Sequence, residues 1–157
     1  MQWVAEVGGA TERSIAYVGG LAEIAVQSLR LLLLARCVRE VLGTKEWFPI
    51  PGARQEIPGV IGWGHRAVAM LDLARLVPDL RPLQVGEQRS RLLVLQVGES
   101  RLAVPADSVS SIIDIDTDAI HPRSVTAFPY SPSEVRIGDE VLPLFEPALI
   151  LESAVGA

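Results

Sequence analysis

The chain repeats itself. Without a gap, RLLLLARCVREVL (Arg30–Leu42) lies over RLAVPADSVSSII (Arg101–Ile113), setting Leu31 on Leu102, Leu33 on Val104, Ala35 on Ala106, Val38 on Val109 and Val41 on Ile112. In the same register upstream, Ile24 meets Leu95 and Val26 meets Val97. A second block, WGHRAVAMLDLARLV (Trp63–Val77), lies over IGDEVLPLFEPALIL (Ile137–Leu151), with Gly64 on Gly138, Met70 on Leu144 and Asp72 on Glu146. One block could arise from chance matching of apolar residues. Two blocks in the same order, each ending in an acid before an apolar helix, point to a structural duplication.

Each half reads as strand, turn, strand, short helical turn, strand, long loop, strand, turn, strand, short helix. Short strands bounded by polar turns at regular spacing favour barrels, so the expected fold is mainly β, with two five-stranded barrels and short helices. Asp72 can cap the turn that follows it, and Glu146 precedes a Pro147 suited to the first helical position. PDLRPLQVGEQRSR (Pro78–Arg91) reads as a linker. The expected organisation is an arm over residues 1–20, marked mobile by Gly8-Gly9 and Gly19-Gly20, then one domain over 21–152. That domain has halves at about 21–77 and 91–152, with 78–90 connecting them.

A net charge of −5 argues against nucleic acid, which is bound through a basic face that releases counterions, and against an anionic membrane surface. No apolar run is longer than Leu31–Ala35, which falls far short of the ~20 residues of a membrane span. A single cysteine, Cys37, excludes an internal disulfide, and a reducing, cytoplasmic location is the expectation.

Catalytic sets are missing. Cys37 with His65 or His121 carries no local nucleophile signature, and Ser108 stands at its place in the other repeat. DIDTD (Asp114, Asp116, Asp118) opens like a calcium loop, but Ala119 and Val125 stand where that loop needs Gly and Glu. The expected role of those acids is the solvent face of a strand. No zinc spacing and no phosphate-binding Gly loop is present, and Gly64-His65 reads as a hairpin turn. No cofactor is expected.

The segment from Leu31 to Val77 resembles the signature half of the CheW-like domain. Val38, Glu40 and Val41 match its V-x-E-V motif, and Pro49 and Pro51 fall in its proline loop. Gly59-Val60-Ile61 opens its G-V-I-N-L-R-G turn, and Met70-Leu71-Asp72-Leu73 closes its V-P-V-I-D-L strand. RLLVLQVGESRLAVPADSVSSIIDI and EVLPLFEPALIL are similar to the family's other barrel, so the resemblance spans about Leu21 to Glu152. It departs at Gly62-Trp63-Gly64-His65, where Gly64 replaces the family's functional Arg and Arg66 follows two places on. Ala69 replaces a proline.

The resemblance implies two intertwined SH3-like barrels without catalysis. It implies a scaffolding adaptor between methyl-accepting chemoreceptor tips and the regulatory domain of a CheA-type histidine kinase, with other CheW-like domains as further partners. On the same basis the partner-binding residues are Val38, Arg39 and Glu40, then Ile57 and Gly59, then Gly64, His65 and Arg66. Two alternatives stay open. One is a divergent module that has lost receptor or kinase binding and serves a dedicated pathway such as motility control. The other is a small-molecule-binding double barrel.

Overall fold

The structure is a computed structural model that describes residues 20–110, 115, 117–122 and 129–156. In the first half, β1 (Leu21–Val26) and β2 (Leu29–Leu34) form a hairpin, followed by a 3-10 turn at Ala35–Cys37. Then come β3 (Val38–Leu42), β4 (Phe48–Pro49), a hairpin of β5 (Gly59–Trp63) and β6 (Arg66–Met70), and a 3-10 turn at Leu73–Leu76. The second half repeats the order with β7 (Arg91–Val97), β8 (Ser100–Ala106), β9 (Ser108–Val109), β10 (Ile120–Pro122), β11 (Ser133–Ile137) and β12 (Glu140–Leu144). It closes with α1 (Pro147–Gly156).

The halves exchange strands. One sheet runs β10-β11-β12-β2-β1-β9 and the other β4-β5-β6-β8-β7-β3, so each draws strands from both halves. Among the described residues each sheet has six strands, of which β4 and β9, two residues long, are too short to announce themselves in sequence.

The two sheets obey one pairing rule. β2 meets β12 in parallel at Leu32–Leu144, and β8 meets β6 in parallel at Ala103–Met70. Beside these pairs, Phe145 N–H donates to Leu32 O (2.7 Å) and Leu71 N–H to Ala103 O (2.8 Å). Val38 pairs with Leu95 as Val109 pairs with Ile24. Every one of these pairs maps onto its mate through the two sequence alignments, so the repeat is a pseudo-two-fold in three dimensions. The hairpin turns match as well: Gly64 and Gly138 have φ of +62° and +61°, and Gln27 and Gly98 have +54° and +60°. A left-handed first residue is what a two-residue hairpin turn of the primed type demands.

Three apolar layers explain the composition. Leu21, Leu32, Val135, Leu142 and Leu144 fill one barrel. Trp47, Ile61, Val68, Met70, Leu83, Leu92 and Ala103 fill the other. Between them lies the largest layer, with Ile24, Val26, Leu31, Leu33, Leu93, Leu95, Leu102, Val104 and Phe145. The hairpins β1–β2 and β7–β8 are buried on both faces, which is why LLLL and LLVL are continuous apolar runs without alternation.

Asp72 ties the linker to the first half. Its carboxylate is buried and accepts from Ala74 N–H (3.2 Å), Arg75 Nε (3.1 Å) and Leu83 N–H (2.8 Å). Of the DIDTD acids, Asp114 and Asp116 lie outside the described residues. Asp118 sits in a 3-10 turn at Thr117–Ala119 and not on the expected strand, so the alternation argument fails there: a turn of three residues does not send every second side chain to one face. The expected arm, up to residue 19, also lies outside the described residues.

Candidate partner-binding surface

β3 is an edge strand with a bulge. Val38 pairs with Leu95 and Glu40 with Val94, which leaves Arg39 as the extra residue. Bulges re-aim side chains, and this one changes which face points inward. Val38 packs on the central layer, whereas Leu42, at the same parity, packs into the barrel. Arg39 and Glu40 are left exposed.

The opposite end of the sheet returns to meet them. Trp63, on β5, donates its indole N–H to Glu40 Oε1 at 2.8 Å. The guanidinium carbons of Arg39 and Arg101 lie 5.9 and 5.2 Å from the Trp63 ring centre, within cation–π range. Arg39 also reaches Gln96 Oε1 at 3.4 Å. Just beyond Trp63 is the β5–β6 turn, where Gly64, His65 and the first residue of β6, Arg66, are all exposed. The structure therefore brings Arg39 and Glu40 to the root of the Gly64–Arg66 hairpin.

Ile57 and Gly59 do not join them on the surface. Ile57 is half-buried against the central layer. Gly59 is buried, and a Cβ there would sit 2.2 Å from Phe48 O and 2.7 Å from the Trp47 ring. Ile57 thus anchors the segment before β5 to the central layer, and Gly59 allows the close approach of β4 to β5.

Burial pushes the Cys37 thiol up, leaving little thiolate to attack or coordinate. His65 is an exposed turn residue. Among the described residues no group of His, Cys, Asp and Glu gathers as a metal set, and no helix is long and apolar enough to cross a membrane.

The family model for the CheW-like domain matches residues 22–155. This chain belongs to the CheW-like domain family. Among solved structures, the scaffolding protein TtCheW from Thermoanaerobacter tengcongensis is similar in fold, with a TM-score of 0.69 at 18% identity. The match covers 83% of this chain and 90% of that one. No curated protein sequence matches.

The CheW-like chain carries a second surface, whose lining residues the motifs do not include. A groove of about 320 Å³ opens between the barrels, lined by Leu34, Cys37, Val97, Phe145 and Pro147 with Arg36 and Gln96 at its polar side. At the place related by the pseudo-two-fold, the linker lies across the surface. There Gln27 Nε2 donates to Arg81 O (2.9 Å), Arg81 N–H returns a bond to Gln27 Oε1 (3.1 Å), and Leu83 is held by Asp72. Trp63 and Arg101 were also missed as site residues. The signal for Arg101 was present, because it stands opposite Arg30 at the head of the aligned blocks.

Proposed function

We propose that this chain is a non-catalytic cytoplasmic adaptor of a bacterial chemosensory system, coupling chemoreceptors to a CheA-type histidine kinase. The observation that carries the reading is the joining of the bulged strand β3 to the β5–β6 hairpin through the Trp63–Glu40 bond. An exposed edge strand offers unpaired backbone groups to a partner's barrel. The groove between the barrels offers a separate apolar seat suited to a helical receptor tip. An adaptor needs two such surfaces that do not overlap.

A second reading is favoured by Gly64, which stands where the family carries an arginine fork. A module adapted to a dedicated pathway would bind standard receptor and kinase partners weakly. The small-molecule alternative gains only the groove's volume, at the low end for ligand pockets.

Titration calorimetry of this chain against a kinase regulatory domain and a receptor tip tests the proposal. Gly64→Arg meets open space but keeps a left-handed φ of +62°, a strain of ~1 kcal/mol. It is expected to strengthen kinase or receptor binding or leave it unchanged. Absence of binding to both partners, in the wild type and in this variant, would remove the adaptor reading.

A further inference from the structure

We propose that the cleft between β6 and β8 is a carboxylate-binding site, filled by an acidic side chain of a partner protein and gripped by Arg101 together with Arg66. The inference comes from one place where the pseudo-two-fold is broken.

In the first sheet, β2 and β12 run parallel and pair at Leu32–Leu144. Next to that pairing the gap is closed by an ion pair. Arg30 Nη1 lies 2.6 Å from Glu140 Oε2 and Arg30 Nη2 lies 3.1 Å from Glu140 Oε1, while Arg30 Nε lies 2.7 Å from Glu23 Oε2. One guanidinium thus holds two carboxylates, one bidentately.

The repeat maps Arg30 onto Arg101, Glu140 onto Arg66 and Glu23 onto Val94. Arg101 keeps the guanidinium and has neither carboxylate. Its Nε, the atom whose counterpart Glu23 holds, is buried without a hydrogen-bond partner. A buried donor without an acceptor is costly, and here it marks the place where the other barrel supplies a carboxylate. The Arg66 guanidinium has no ion pair among the described residues, and the space between the two is a cleft of about 380 Å³ whose walls include Val68 and Ala69.

Two further observations fix the ligand chemistry. Trp63, which takes the place of Ile137, lies 5.2 Å from the Arg101 guanidinium carbon. Such a ring holds a guanidinium in place and leaves its edge free for the planar fork that a carboxylate fits. Glu99, at the rim, also lines the cleft and is not ion-paired with either arginine. Two arginines and one glutamate leave a charge of +1, which suits a singly charged carboxylate better than a doubly charged phosphate. The partner's acidic side chain would do here what Glu140 does in the other barrel.

The inference does not depend on the identity of receptor or kinase, and its test uses neither. The isotope-labelled full chain is titrated at low salt with a blocked hexaglutamate peptide, following the indole N–H resonance of Trp63, which Trp63→Phe assigns. Hexaglutamine and inorganic phosphate at matched ionic strength are the comparators. Hexaglutamate is expected to give a saturating shift, hexaglutamine none, and phosphate a response at least tenfold weaker. Arg101→Gln should weaken binding at least tenfold. Arg66→Glu sits at an exposed position, so it keeps the fold even if Arg101→Gln does not. It supplies the carboxylate from within and should abolish peptide binding without lowering the melting temperature. No saturable shift with hexaglutamate, an equal response to phosphate, or undiminished binding by Arg66→Glu would each overturn the proposal.

Discussion

Trp63 donates its indole N–H to Glu40 across 2.8 Å, joining the edge strand β3 to β5, the strand next to the far edge of the same sheet. That bond closes the barrel and fixes the bulged strand against the hairpin proposed to meet a partner.

Removing either group therefore acts twice. A hydrogen bond to a charged acceptor contributes about 1.5–3 kcal/mol, less where solvent competes. Glu40 is exposed, so Glu40→Ala and Trp63→Phe are each expected to cost about 1 kcal/mol in urea unfolding. The double variant should cost less than the sum, because both delete one interaction. In calorimetry Glu40→Ala is expected to weaken partner binding by a further 1–3 kcal/mol, the range of a truncated interface anchor. Full additivity of the two stability losses would show that the bond contributes nothing to closure.

Two glycines of β5 separate packing from exposure. At Gly59 a Cβ would meet the Phe48 backbone at 2.2 Å, whereas at Gly62 nothing lies within 4 Å. Backbone cannot yield as a side chain tip does. Gly59→Ala should therefore destabilise by about 2 kcal/mol, in the usual range for overpacking. Gly62→Ala should be neutral within ~0.5 kcal/mol. Equal melting temperatures for the two would contradict the close approach of β4 to β5.

Asp72 is expected to be the most costly single carboxylate to lose. It is 1% exposed and accepts three hydrogen bonds, one of them from the linker residue Leu83. Asp72→Ala strands two backbone donors and leaves the Arg75 guanidinium only its bond to Leu83 O, at a cost of about 3 kcal/mol. Asp72→Asn keeps the shape and one acceptor oxygen, so it should cost about half as much. Proteolysis within 78–90 should quicken in Asp72→Ala in step with the loss.

The repeat made much of this legible before any coordinates. The two gapless alignments state which residues occupy equivalent places, and the structure bears this out: Leu32 pairs with Leu144 as Ala103 pairs with Met70. The bulge at Arg39 was not legible, since a single extra residue leaves the V-x-E-V pattern unchanged. Nor was the burial of Ile57 and Gly59, which follows from the path of the proline loop rather than from any periodicity. The cleft was half visible: Arg101 opposite Arg30 lies open in the alignment. Its meaning needed the third residue, Glu140, to be seen holding Arg30 in space.

The Arg30–Glu140 pair also sets a pH dependence. The hydrogen bonds and charge of Arg30 hold the Glu140 carboxyl below its ordinary value of 4.5, against a smaller opposing effect of desolvation. A carboxyl depressed in the fold binds fewer protons there than in the unfolded chain, so stability rises with pH across that interval. The contribution is complete above the unfolded value and is lost as pH falls through the folded one. Arg30 stays charged throughout, its own pKa raised by the same two carboxylates. Both partners are well exposed, so the effect is modest and screened by salt. Glu140→Gln should accordingly melt below the wild type at neutral pH and low salt. The gap is expected to shrink in 1 M sodium chloride and to close as the pH is lowered well beneath 4.5. Arg66→Glu offers the converse measurement. If Arg101 can hold a carboxylate as Arg30 does, that variant gains an acid limb of the same sign at the equivalent place in the other barrel. A flat difference between variant and wild type across the acid range would show that the two sites are not chemical equivalents.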